Sequence, residues 1–145
     1  MRPELTKRAD YAIRAMLALS RSPSAGPLSA RRIAEEWSIP GRFLPQVLGD
    51  LGRAGLVRAE AGRNGGYRLG RAPDEISLLD VIEAVEGDSR RRTCVLRGGP
   101  CGVTGECAVH GVFADAQDAL LGTLAEAHLA ELTGAPEPVG AGRPR

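Results

Sequence analysis

Three cysteines and one of two histidines fall within the 17-residue stretch CVLRGGPCGVTGECAVH, Cys94 to His110, of a 145-residue chain. The spacing is C-x6-C-x5-C-x2-H, and Gly98, Gly99, Pro100, Gly102 and Gly105 lie between the ligand-type residues. Glycines let a backbone turn sharply and bring its N–H groups close to thiolate or sulfide sulfur. Thiolates favour iron-sulfur clusters, zinc or copper(I) over hard cations, and imidazole suits iron or zinc. Zinc is disfavoured, though a zinc-stabilised protein stays open, because its sites usually carry tight C-x2-4-C pairs and none is present. The odd cysteine count and the charged N-terminus MRPELTKRAD argue against a secreted disulfide framework. The expected compartment is the cytoplasm, where thiols stay reduced. A redox enzyme would need a C-x-x-C pair or an open metal position with a general base, so no enzyme is expected.

The elements that must position this loop are read from charge and periodicity. Residues 1–72 carry 13 Lys+Arg against 6 Asp+Glu, a balance of +7, and residues 73–145 carry 6 against 12, a balance of −6. Only the first half is therefore expected to meet a polyanion. Aromatic residues are 3% of the chain, too few for a base-stacking surface. No apolar run approaches the roughly 18 residues a membrane span needs.

Leu5, Ala9, Ala12, Ile13, Met16 and Leu17 recur at steps of three and four and predict an amphipathic helix from Leu5 to about Arg21. Ser29 caps a second helix running to Trp37, itself read as core. A third helix is expected to begin near Pro40 or Gly41, so that Pro45 lies close to its first turn, and to end at a left-handed Gly55. Strands over Leu56–Glu60 and Tyr67–Leu69 flank the glycine-rich tip Gly62-Arg63-Asn64-Gly65-Gly66. Two helices, a turn and a hairpin read as a winged helix-turn-helix. In that arrangement Arg42 and Gln46 reach base edges, Arg63 and Asn64 reach the backbone or minor groove, and Arg31 and Arg32 contact phosphates. Ser29, Phe43, Gly65 and Tyr67 complete the expected DNA face.

Ser77 and Asp80 have capping-box spacing and open a helix that Gly87 closes. The basic run Arg90-Arg91-Arg92 leads into the cysteine loop. From about Ala108 to Leu132 one long helix of some 25 residues is expected, roughly 37 Å, longer than a small domain can cover and so packed against a second copy. The expected organisation is mainly α: residues 1–87 a winged helix-turn-helix with a two-stranded wing, 88–107 a cluster-binding loop, 108–133 a dimerisation helix and 134–145 a disordered tail.

This order of parts resembles the Rrf-two family of bacterial transcription regulators, whose cluster-binding members include IscR and NsrR. The likeness is carried by LTKRADYAIRAML at 5–17, IPGRFLPQVL at 39–48, GRNGGYRL at 62–69, ISLLDVIEAVEG at 76–87, the three cysteines and LAEL at 129–132. It covers nearly everything but the tail. The resemblance implies a homodimer crossed through the long helix, repressing from an inverted-repeat operator in double-stranded DNA, with an iron-sulfur cluster as sensor. Cys94, Cys101 and Cys107 match the three cysteine ligands. His110 matches the histidine ligand of the IscR two-iron, two-sulfur cluster and is the favoured fourth ligand. Asp10 matches the aspartate that in some NsrR proteins crosses the dimer to a four-iron cluster sensitive to nitric oxide. The chain departs from the pattern with six residues between its first two cysteines where five are common, and with Pro45 where IscR has an acidic residue. The first departure leaves the cluster type open, and the second the operator sequence.

Overall fold

The computed structural model describes residues 4–21, 24–87 and 107–132. Thr6 opens helix α1 (Lys7–Arg21) by accepting the Ala9 N–H at 3.2 Å, which leaves Leu5 outside the helix and half exposed. Helix α1 is the hub of the domain. Its buried face carries Ala9, Ala12, Ala15, Met16 and Leu19, and the small alanines let neighbouring elements come close. Because α1 is packed on several sides, Tyr11, Ala15 and Ala18 are buried as well as the expected stripe, while Ile13 and Leu17 are only half-buried.

Helix α2 (Ala30–Glu36) starts at Ser29, whose hydroxyl accepts the Arg32 N–H at 3.2 Å, and Trp37 at its end is core. Helix α3 spans Leu44–Arg53. Its expected start near Pro40 is corrected to Leu44, because residues 41–43 form a tight turn in which the Phe43 N–H reaches the Pro40 carbonyl at 3.0 Å. Pro45 consequently lies in the first turn, where its missing N–H breaks no intrahelical bond. The helix stops in a Schellman motif: Leu56 N–H bonds Leu51 O at 2.9 Å, Gly55 N–H bonds Gly52 O at 3.0 Å, and Gly55 takes φ +75°. Leu51 and Leu56 are both buried there.

The wing is the antiparallel pair β1 (Val57–Glu60) and β2 (Gly66–Leu69), with Val57 opposite Leu69 and Glu60 opposite Gly66. On the other edge of β2, Leu28 and Tyr67 exchange two backbone bonds of 3.0 and 2.7 Å. The wing is thereby fastened to the residue just before the α2 cap. A short 3-10 turn, Pro73–Glu75, leads to helix α4 (Leu78–Glu86). Its capping box is complete, with Asp80 N–H to Ser77 Oγ at 3.1 Å and Ser77 N–H to Asp80 Oδ2 at 3.0 Å, and Gly87 ends it at φ +88°. Ser77→Ala is expected to lose about 1 kcal/mol of stability, read as a lowered midpoint in chemical denaturation. An unchanged midpoint would mean that the box contributes nothing to folding.

Helix α5 is His110–Glu126 and α6 is Leu129–Leu132. The single helix expected from Ala108 to Leu132 is therefore corrected to two, of which α5 is about 25 Å long. The break has a backbone cause. Leu78 N–H bonds Ala127 O at 2.8 Å and Leu129 N–H bonds Ile76 O at 2.9 Å, so groups that a continuous helix would use are committed to the approach to α4. Leu129 is driven fully into the core beside α1. Helix α5 packs chiefly on α4, has no fully buried residue, and exposes Val112, Phe113 and Leu120. No described helix is long and apolar enough to cross a membrane.

Candidate nucleic-acid interface and cysteine site

The core faces of α2 and α3 fix what their outer faces can present. In α3, Leu44, Val47, Leu48 and Leu51 are buried, which turns Gln46 outward. Arg42 does not ride on α3 as expected but stands in the turn ahead of it, with its guanidinium 4.7 Å from the centre of the Phe43 ring. Phe43 in turn stacks on Tyr11 of α1, ring centres 5.8 Å apart and planes 23° apart. Phe43 is thus a platform that orients Arg42 at the N-terminal end of α3 and ties that end to the hub.

On α2, Arg31 pairs with Glu35 at 3.0 Å and Arg32 with Glu36 at 2.7 Å, all four side chains being about half exposed or more. The Glu36 hydrogen bond and its charge raise the Arg32 pKa above its ordinary value. Exposed pairs of this kind are weak, so either guanidinium can turn to a phosphate at little cost. A groove of about 480 Å³ between the helices brings Arg31 beside Gly41 and Leu44, next to the Arg42 turn. Arg63 and Asn64 are exposed at the wing tip. Gly65 makes the turn with its N–H to Gly62 O at 3.1 Å, while Tyr67 is half-buried against the core with its backbone paired to Leu28. The hydroxyl of Ser29 is used as the α2 cap.

Of the cysteine site, Cys94 and Cys101 lie outside the described residues, as does the Arg90–Arg92 run. Cys107 and His110 stand one turn apart where α5 begins: the His110 N–H bonds the Cys107 carbonyl at 3.0 Å, and both residues are half-buried. Among the described residues no three ligand-type side chains gather into a metal site. Asp10 is held by Arg14, whose Nε and Nη2 reach its two carboxylate oxygens at 2.9 Å each. The remaining Arg14 nitrogen points at the Trp37 and Ser38 carbonyls at 3.4 and 3.2 Å, inside the turn between α2 and α3, where Ser38 takes φ +54°. Sequence reasoning considered Asp10 and missed Arg14; the i, i+4 carboxylate–guanidinium spacing was the available signal.

The helix-turn-helix, its wing and the helices that follow are spanned by one family profile. The profile of Rrf2, described as an iron-dependent transcriptional regulator, matches residues 5–135. The chain belongs to the Rrf2 family. Within it, the chain is similar to the HTH-type transcriptional regulator IscR of Escherichia coli, 34% identical over 128 residues that cover 88% of this chain and 78% of that one. An HTH-type transcriptional regulator of Synechocystis, slr0846, is 45% identical over 83 residues, 57% of this chain and 56% of the relative. Among solved structures, CymR, the global cysteine regulator of B. subtilis, superposes with TM-score 0.78 at 28% identity, covering 91% of this chain and 97% of that one. As an Rrf2 protein the chain is a DNA-binding transcription regulator and not an enzyme.

Proposed function

We propose that this Rrf2 protein is a homodimeric cytoplasmic repressor whose hold on an inverted-repeat operator is set by an iron-sulfur cluster on Cys94, Cys101, Cys107 and His110. The observation that carries this reading is the half-buried Cys107–His110 turn at the head of α5. Thiolate and imidazole one helical turn apart are a donor pair suited to iron, and the chain supplies two more thiolates just upstream. When bound, the cluster supplies an electron-accepting, oxidant-sensitive group. The protein's own part is mechanical: the ligand-bearing segment follows α4 and leads into α5 along the chain, so holding a cluster there would bear on how α5 leaves the DNA-binding domain. A switch follows only if ligand binding favours one DNA-competent arrangement over another.

Asp10 serves less readily as fourth ligand in this arrangement, because both of its oxygens are engaged by Arg14. Recruiting it would free Arg14 from its carboxylate and loosen the helix-turn-helix turn, which would make Asp10 a switch in the nitric-oxide-sensing alternative. A zinc-stabilised or cluster-free regulator is the remaining reading, since among the described residues no three ligand-type side chains gather into a metal site.

The test is a visible spectrum of protein purified without oxygen, with His110→Ala and Asp10→Ala beside it. The expected result is a multi-banded red-brown spectrum changed mainly by His110→Ala. A single broad band changed by Asp10→Ala would move the assignment to the four-iron alternative, and a colourless wild type would remove the sensor.

For the DNA face, Gln46→Ala and Arg42→Ala are expected to relax sequence choice by about 1–3 kcal/mol per base position. Arg31→Ala should weaken all sequences alike and reduce the salt slope by about one. Affinities measured on target and random duplexes at several salt concentrations decide this. Equal losses on both duplexes for every variant would refute the assignment of base readers.

A further inference from the structure

We propose that the first turn of α3 selects A·T pairs in the operator, Pro45 by packing on a thymine 5-methyl group and Gln46 by hydrogen-bonding the adenine of a neighbouring pair. The inference rests on the DNA face proposed above and names the bases that face accepts. Burial of Leu44, Val47, Leu48 and Leu51 leaves Pro45 and Gln46 side by side on the outer surface of the first turn, both exposed. One turn later Gly49 carries no side chain on the same strip, so the pair projects beyond it. A Cβ at Gly49 would meet only Arg53 Nη1, at an ordinary 3.7 Å, so packing within the domain does not demand the glycine.

The chemistry of the pair is narrow. The Pro45 ring has neither donor nor acceptor, and the thymine methyl is the apolar group that bases present in the major groove. Its missing N–H costs the helix nothing, because the Phe43 carbonyl at the cap accepts from Val47 N–H at 3.2 Å and the N–H groups before that have no partner inside the helix. Gln46 carries a donor and an acceptor together, the combination that matches N7 and N6 of adenine. Cytosine offers a donor and needs an acceptor such as a carboxylate. The one carboxylate of α3, Asp50, is turned away from the groove: its side chain is 11% exposed and is held by Arg8 of α1 and by Arg53. Arg42, oriented by the Phe43 ring, adds donors only, which suit guanine and leave the choice of A·T to Pro45 and Gln46.

The test uses the full chain and a duplex that it selects from a randomised library. Each thymine of one half-site is replaced in turn by uracil, which removes the methyl and keeps the pairing, and each adenine by 7-deazaadenine, which removes the N7 acceptor. The wild type is expected to lose about fourfold in affinity at one thymine, the worth of one buried methyl, and at least about twofold at a neighbouring adenine. Pro45→Gly should bind the thymine and uracil duplexes equally while keeping the adenine effect, and Gln46→Ala should do the reverse. Pro45→Ser is the second variant if glycine loosens the first turn, and circular dichroism checks every fold. A purely structural role for Pro45 would weaken all duplexes and leave the thymine-to-uracil ratio at its wild-type value. The proposal is overturned if no thymine methyl matters to the wild type, or if the methyl effect survives in both Pro45 variants. A selected sequence bound tightly but without regard to methyls sinks this assignment alone, whereas a wild type that binds selected and random duplexes alike sinks the reading of α3 as the base-reading helix along with it.

Discussion

Gly66→Ala is expected to lower DNA affinity at least about tenfold, or 1.4 kcal/mol, and to cost about 1–3 kcal/mol of stability through backbone strain. Gly66 takes φ +154°, and a Cβ there would stand 2.4 Å from the Leu28 carbonyl oxygen, 2.5 Å from its carbon and 2.9 Å from the Ser29 nitrogen. These are backbone atoms and cannot swing aside as a flexible side chain would. Relief requires Leu28 to part from β2, which breaks the two bonds it shares with Tyr67. Those bonds hold the wing at a set distance from Ser29, the residue that caps α2. The substitution therefore acts on the angle between wing and helix-turn-helix, not on any DNA contact. Gly41→Ala is the control, since a Cβ there meets nothing within 4 Å. Fluorescence anisotropy with a target duplex and thermal unfolding of both variants test this. Gly66→Ala behaving like Gly41→Ala would show that the Leu28–Tyr67 bridge does not set the wing.

What was legible in the sequence was what short-range chemistry decides. Ser29, the Ser77–Asp80 box, Gly55 and Gly87 mark helix ends through bonds made within a turn, and the structure places each end where those residues put it. The glycine-rich tip likewise announced the wing. The start of α3 was displaced by a local competition: Pro40 and Gly41 form a turn of their own before the helix can begin. The break between α5 and α6 was illegible because its cause lies far upstream, in the free backbone groups of Ile76 and Leu78. A run such as LLGTLAEAHLAEL has no glycine or proline at the break to signal it. At the candidate site, residue types and spacing pointed to the chemistry of Cys107 and His110 but said nothing of Arg14, whose importance comes from reaching the α2–α3 turn as well as Asp10.

Leu129→Ala is expected to cost about 2–5 kcal/mol, the range for emptying a fully buried leucine site. Leu129 is 0% exposed and lies at the seam where α6 meets α1 and the turn before α4. Its own N–H is bonded to Ile76 O, one residue ahead of the α4 cap. This contact closes a ring: the cysteine loop joins the far end of α4 to the head of α5, and the Ala127–Leu129 segment returns the tail of α5 to the near end of α4. With both ends tied, a change in the loop can move α5 only by moving α4, which packs on α1 and α3. Opening the ring at Leu129 should therefore do two things. It should lower stability in chemical denaturation and, on the proposed reading of the cysteine loop as the sensor, leave DNA affinity less responsive to oxidant, measured with reduced protein before and after its addition. A loss below about 1 kcal/mol would mean that α6 does not dock on its own domain in solution. A large loss of stability with the oxidant response intact would mean that the signal reaches α3 by a route other than the ring.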